Sequence, residues 1–381
     1  MAKVGILSMQ RIVNYGSFLQ AYGLKMLLEK SGHHVEFVDY HTGKPLISQS
    51  RFQKPGPFFK VRKVFNAFQY DASWKHRIQF VLYKKQYAGK YLPILGITPV
   101  MNYLPDLDAL VIGSDEVFNC IQSNPNVGYS LELFGKNQRA KKLLTYAASF
   151  GNTTMEKLRQ YHKDREIGWY LKRFDAISVR DRNSGRIVRE LTGVTPEYHL
   201  DPVLAYDYIG ECRLIPQIKT KERYLILYAY SGRISREIND WIFAYAKKKG
   251  IKVYSFGGIH RCADHFIDCS PFDVLAYFQN AEAVITDTFH GTIFSIITKR
   301  KFVTIICKST GDSYGNEEKL SDLLERTGLP DRVSGTVDEI EAVLEREIDY
   351  TAVDKIINAE RVKTLDYLKK QIGCYGEEKH G

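Results

Sequence analysis

At 381 residues the chain has length for two to three domains and more than one core, which excludes a small disulfide- or metal-stapled module. Its 44% hydrophobic and 26% charged residues exclude disorder as the main state, and six scattered cysteines without framework spacing fit a reduced, cytoplasmic protein. The formal charge of +10 is concentrated: ten basic residues stand against one acid, Asp71, between Arg51 and Lys90, and the rest is nearly neutral.

Met1-Ala2-Lys3 leads straight into the apolar run Val4–Ser8, so no signal peptide is expected. Ser17–Lys30 follows with helical periodicity and Gly32 as its stop, then the strand-like His34–Val38. After the cationic stretch come three apolar runs that each end in small or polar residues: Asp108–Ile112 in Gly113-Ser114-Asp115, Leu143–Ala148 in Ser149-Phe150-Gly151, and Asp175–Val179 in Arg180-Asp181. In open α/β sheets that carboxyl edge is where ligands bind. The irregular segment Asp201–Lys221 precedes a second alternating series. Its strands are Tyr224–Tyr228, Lys252–Phe256, Ala283–Thr286 and Phe302–Cys307; its helices are Ile234–Lys248, Phe272–Gln279, Thr292–Lys299 and Lys319–Thr327. Even the longest apolar runs fall far below the roughly 18 residues of a membrane-spanning helix. The predicted fold is α/β, with two Rossmann-like domains facing a cleft. The first covers residues 1–205 with a basic aromatic insertion over 51–92, and the second covers 221–340. A last amphipathic helix within 345–373 is expected to cross back onto the first domain.

Four segments carry candidate chemistry. The loop Gln10–Ser17 joins the first strand to the first helix, and its Asn14, Gly16 and Ser17 suit an anion held by backbone N–H groups at a helix N-terminus. The plain alternative is a cap by Ser17 with Gly16 making the turn. Thr286–Thr292 ends one strand and opens a helix. His290 there is suited to a phosphate or to proton transfer near pH 7, and Gly291 lets a ligand approach the backbone, although a lone histidine is more often structural. The segment His260–Cys269 holds two histidines and two cysteines, but their spacing fits no common zinc pattern, and no metal is expected. Between Phe58 and Tyr91, ten aromatics interleave with the cations. That mixture suits an interfacial helix on anionic lipid, a nucleic-acid groove, or a helical insertion whose rings pack onto the domain while its charges stay solvated.

The ordered motifs together resemble the polysaccharide pyruvyl transferase family. The similar pieces are Val4-Gly5-Ile6-Leu7 with Asn14-Tyr15-Gly16-Ser17-Phe18-Leu19-Gln20-Ala21-Tyr22, then Val111-Ile112-Gly113-Ser114-Asp115-Glu116-Val117-Phe118-Asn119, and Tyr146-Ala147-Ala148-Ser149-Phe150-Gly151. They continue with Ile177-Ser178-Val179-Arg180-Asp181-Arg182-Asn183-Ser184, Leu200-Asp201-Pro202, and Asp287-Thr288-Phe289-His290-Gly291. The resemblance runs from about Val4 to Leu329 and leaves the cationic insertion and the C-terminal tail uncovered. Some members of that family carry Arg-Leu-His where this chain has Thr288-Phe289-His290, and the arginine implicated there in holding the donor is absent.

The resemblance implies a GT-B-like fold and transfer of a pyruvyl group from phosphoenolpyruvate onto two hydroxyls of a sugar in a surface or capsular polysaccharide precursor, closing a cyclic ketal. The donor is a substrate, and no cofactor is expected. Phosphoenolpyruvate carries a carboxylate and a phosphate, so the site needs cations, and its methylene needs an acid. Arg180 is assigned to the donor's anionic groups because its fork matches them. His290 is assigned as donor-phosphate ligand or acid, and Asp115 as acceptor of the sugar hydroxyl's proton. Asn14, Gly16, Ser17, Ser114, Thr288 and Gly291 are expected to bind substrate. The plain alternatives are a surface ion pair for Arg180-Asp181 and a helix cap for Asp115. A lipid-linked oligosaccharide is the expected form of the acceptor, met at the inner face of an anionic membrane through the Arg51–Lys90 stretch; no nucleic acid is expected. Rival readings are a glycosyltransferase of the same fold using a nucleotide-sugar, with a weak candidate loop at Ser255-Phe256-Gly257-Gly258, and a non-catalytic membrane- or RNA-binding adaptor.

Overall fold

The structure is a computed structural model that describes residues 1–47, 69–103, 105–306 and 317–373. Among these, two six-stranded sheets form, and every pairing is parallel. The first contains β1 (Lys3–Leu7), β2 (His34–Phe37), β3 (Ala109–Asp115), β4 (Lys142–Ala148), β5 (Ser178–Val179) and β6 (Glu197–Tyr198) in the order β2-β1-β3-β4-β5-β6. The second contains β7 (Tyr224–Tyr228), β8 (Lys252–Phe256), β9 (His265–Phe266), β10 (Ala283–Thr286), β11 (Phe302–Ile305) and β12 (Val333–Ser334) in the order β12-β11-β10-β7-β8-β9. Every residue of β7, β10 and β11 is buried, as helices on both faces of a parallel sheet require. That is why β7 reads as an unbroken apolar run and β10 and β11 as apolar runs holding one threonine each. Cys307, the expected end of β11, lies outside the described residues.

Register aligns the functional edge of the first sheet. Asp115 at the end of β3 pairs with Ala148 of β4, which pairs with Val179 of β5, so Asp115, Ser149 and Arg180 leave the sheet along one line. The helix Tyr15–Lys30 starts two residues earlier than its periodicity predicts because Asn14, not Ser17, caps it. It is apolar on more than one side because it is packed on more than one side. Phe18 and Tyr22 meet Phe272 of the second domain edge-on, with ring centroids 5.7 and 5.0 Å apart.

From the basic insertion, the helix Trp74–Tyr91 is described; residues 51–68, with Phe58, Phe59, Phe65 and Phe68, lie outside the described residues. Tyr83 and Tyr87 are buried against Tyr15, so these two rings belong to the core and cannot enter a lipid or nucleic-acid interface; Phe80, half-buried, packs with Tyr83 on Phe266 of β9. The long helix Tyr350–Ile372 begins on the second domain, where the Tyr350 hydroxyl donates to the Arg300 carbonyl at 2.5 Å. It ends on the first, where the Tyr367 hydroxyl donates to the Thr145 carbonyl at 2.8 Å.

Candidate active site

The strand orders place two reversal points opposite each other. The chain leaves β1 for β2 on one side and returns to β3 on the other; it leaves β7 for β8 and returns to β10 in the same way. Loops that diverge at such a point open a crevice beyond the carboxyl ends. A cavity of about 290 Å³ lies there, walled by Asn14, Ser17, Asp115, Glu116 and Arg180 of the first domain and by Tyr230, Arg233, Asp287, Thr288, Phe289, His290 and Lys319 of the second. Two polar contacts tie its walls together: Asn14 Nδ2 donates to the Tyr230 hydroxyl at 2.8 Å, and Lys319 Nζ to Glu116 Oε1 at 2.9 Å.

Beneath the cavity sits Asp201, with 1% of its surface exposed. Its Oδ2 accepts from Arg180 Nη1 at 3.1 Å and from Ser114 Oγ at 3.2 Å and lies 3.7 Å from His290 Nε2, while Oδ1 accepts from Val203 N at 3.0 Å. Burial alone would raise its pKa, but His290, Arg180 and the Val203 N–H outweigh burial and hold it below the usual carboxylate range. Arg180 is itself buried. Desolvation opposes its charge, yet Asp115 and Asp201 raise its pKa further above the ordinary arginine value. Its guanidinium lies 3.5 Å from Asp115 Oδ1 and 4.3 Å over the Phe289 ring. Arg180 is therefore not half of a surface pair with Asp181, which instead caps the helix Arg182–Thr192 through Ser184 N at 2.8 Å.

Asp115 caps no helix. Its backbone takes φ of 73° at the end of β3, and its Oδ2 accepts from Ser17 Oγ at 2.8 Å. Thr288 caps the helix Phe289–Ile297, its Oγ1 accepting from Gly291 N at 2.9 Å, so the helix starts three residues before its predicted position and His290 stands in the first turn. The His290 ring lies against Gly16, where a Cβ would come within 2.2 Å of ring atoms. Asp287, nearly enclosed, has its pKa pushed up to about 6 by burial, with Arg233 pulling the other way. Its Oδ1 accepts from Tyr230 N at 3.3 Å, and Arg233 Nη1 lies 3.9 Å from Oδ2.

A sequence model of the family described as polysaccharide pyruvyl transferase matches residues 14–309, more than half of the chain. The chain belongs to the polysaccharide pyruvyl transferase family. It is thus an enzyme of pyruvyl transfer in polysaccharide synthesis. No curated protein matches it. Among solved structures it is similar to an O-GlcNAc transferase of Thermobaculum terrenum, with 12% identity and a TM-score of 0.40 over 97% of this chain and 64% of that one, so it spans about two thirds of that protein's length. It is also similar to the glycotransferase of kitacinnamycin, with 8% identity and a TM-score of 0.48 over 97% of this chain and 99% of that one. A third similarity is to UGT89C1 of Arabidopsis thaliana, with 9% identity and a TM-score of 0.45 over 98% of this chain and 99% of that one. The fold is α/β, with two parallel-sheet domains that meet at the cavity.

Of the residues singled out in this transferase from sequence, Asn14, Ser17, Asp115, Arg180, Thr288 and His290 line the cavity. Gly16, Ser114 and Gly291 support it from behind. Gly16 makes room for His290, and its N–H, like that of Ser17, is taken by the Asn14 side chain at 2.7 and 3.2 Å, which spends on a cap the groups expected to hold an anion. Ser114 is fully buried, and its single hydroxyl proton is shared between Asp201 and the Ala147 carbonyl, 3.0 Å from its Oγ. At Gly291 a Cβ would lie 2.1 Å from Thr286 Oγ1, so its missing side chain serves helix-to-strand packing. Residues not singled out as site residues but brought to the site are Asp201, Glu116, Tyr230, Arg233, Asp287 and Lys319. In the His260–Cys269 segment, His260 is buried with Nε2 3.1 Å from the Ala229 carbonyl, and its pKa is pushed down to about 4 by burial; Cys269 and Cys262 are buried in two different apolar clusters. No helix of the described residues is long and apolar enough to cross a membrane.

Proposed function

We propose that this transferase uses phosphoenolpyruvate as donor and closes a cyclic ketal on two hydroxyls of a lipid-linked sugar. The carrying observation is the buried Asp201–Arg180–His290 group under a cavity that also receives Arg233 and Lys319. Protonation of the donor's methylene, by His290, makes the neighbouring carbon electrophilic. A sugar hydroxyl adds to it and gives up its proton to Asp115. The carbon–oxygen bond to phosphate then breaks, phosphate leaves with its electron pair and takes the proton held by Asp115, and the second hydroxyl closes the ring as its proton returns to His290. Arg180 takes one anionic group of the donor. The second cation, absent at Thr288, is supplied by Arg233 and Lys319, the latter exchanging Glu116 for the donor. The nucleotide-sugar reading is less well supported: the space bordered by Phe256 and Gly257 is about 20 Å³, room for about one water and not for a base.

Thermal melting with phosphoenolpyruvate against a panel of nucleotide-sugars tests the donor. A ligand at 100 times its Kd stabilises by about 2.7 kcal/mol, a clear shift. Incubation with phosphoenolpyruvate and lipid-linked or model glycosides should release phosphate and add a pyruvyl mass to the sugar. Stabilisation by a nucleotide-sugar alone, with no phosphate release, would overturn the reading.

A further inference from the structure

We infer that the outward face of the helix Trp74–Tyr91 seats the protein on an anionic phospholipid surface. With 3.6 residues per turn, Tyr83, Tyr87 and His76 share one side of this helix, and that side is buried. Trp74, Ile78 and Leu82 recur every four residues on the opposite side and stay open to solvent, with 72, 45 and 45% of their surfaces exposed. Among the described residues, no packing accounts for an apolar stripe there. Lys75 and Lys85 fall on the same outward side, and the helix carries five cations, Lys75, Arg77, Lys84, Lys85 and Lys90, and no acid.

An apolar stripe edged by cations, on a helix not apolar enough to span a bilayer, lies in the headgroup region with its apolar side chains inserted and its lysines on lipid phosphates. Tryptophan favours that depth. The charge selects an anionic surface over a neutral one, and the exposed stripe selects a bilayer over a nucleic acid, which would offer it nothing apolar to enter. The helix is also joined to the catalytic crevice, because the Tyr87 hydroxyl donates to the Asn14 carbonyl at 3.0 Å. Seating it would therefore hold the cleft beside the leaflet. This inference concerns where the enzyme works and does not depend on the identity of the donor.

The test is sedimentation of the whole chain with vesicles of phosphatidylcholine alone or with 30% phosphatidylglycerol (about that fraction suffices for an anionic surface). The expected result is pelleting with the anionic vesicles, weakened by salt. Trp74, Ile78 and Leu82 changed together to Ser should lower partition about tenfold or more at every salt concentration, with an unchanged melting temperature and unchanged turnover on a soluble acceptor. Lys75→Gln and Lys85→Gln should each lower it about fivefold at low salt only. The inference is overturned if the protein stays in the supernatant at low salt or pellets equally with both vesicles. It is also overturned if the triple serine variant pellets like the parent, or if the chain binds single-stranded RNA tightly while ignoring vesicles.

Discussion

Replacing Arg180 should uncouple the buried group beneath the cavity, and the structure sets how much that costs. In Arg180→Met, Asp201 keeps Ser114 and Val203 N as hydrogen-bond donors and His290 at 3.7 Å but loses its guanidinium partner. Removing one member of a buried ion pair costs about 3–5 kcal/mol, because the other charge stays behind in a poor solvent. Arg180→Lys keeps a charge but not the planar fork, so one ammonium cannot hold Asp201, approach Asp115 and lie over Phe289 together. The loss of about one charged hydrogen bond, roughly 1.5–3 kcal/mol, is expected, with a larger fall in turnover than in stability. Asp201 has a depressed folded pKa, so its contribution is present above its unfolded value and is lost as pH falls through the folded one. Without Arg180 that folded value rises, and acid destabilisation should begin at higher pH. Urea unfolding of Arg180→Met, Asp201→Asn and the double variant measures the coupling. The double variant should be far more stable than the sum of the singles predicts. Additive losses, or an Arg180→Met variant within about 0.5 kcal/mol of the parent, would refute the pairing.

Gly16→Ala places a methyl group 2.2 Å from His290 ring atoms, so it should lower stability by about 1–3 kcal/mol and abolish most turnover, and adding His290→Ala should restore the melting temperature but not activity. A Gly16→Ala enzyme with normal turnover would remove His290 from the site as described. Asp287, with its folded pKa at about 6, binds a proton in the native state that the unfolded chain has already lost between about pH 4 and 6. Stability should therefore fall as pH rises through that window, by up to roughly 3 kcal/mol, and Asp287→Asn should flatten the slope in a pH series of urea unfolding. An unchanged slope would assign the titration to another group.

The fold was legible in the sequence wherever burial on both faces writes itself as a continuous apolar run. Tyr224–Tyr228 and Ala283–Thr286 are strands over those residues, as is Lys252–Phe256, buried from Val253 onward. The two-residue strands Glu197–Tyr198, His265–Phe266 and Val333–Ser334 were not, since two residues at a sheet edge carry no period. Helix starts shifted for one reason: a cap is a side chain's choice of partner, and Asn14 and Thr288 each took N–H groups that a boundary drawn from apolar spacing leaves two or three residues away. These shifts matter to function, because they place His290 in the first turn of its helix, against Gly16.

Residues on the carboxyl edge could be singled out because each follows directly on a strand. Arg180 follows β5, and His290 stands four residues beyond β10. Their shared counter-charge was not singled out: Asp201 stands in the quoted motif Leu200-Asp201-Pro202, but it lies 21 residues after one and 89 before the other and looks locally like the start of a short helix at Pro202. The same limit governs the missing arginine. Thr288 is committed to its helix, taking Gly291 N on its hydroxyl and lying 3.0 Å from Thr286 Oγ1, so nothing at that position can meet an anion's charge. Arg233 comes from the loop after β7, and Lys319 belongs to the helix Glu317–Arg326; both reach the same cavity wall. Loops that converge on one edge of a sheet can exchange the duty of supplying a cation without any trace in local spacing, because electrostatics is indifferent to which segment carries the charge. A motif that departs from its family at one position is therefore judged by the charges that line the cavity, and here those charges come from two segments the motif does not contain.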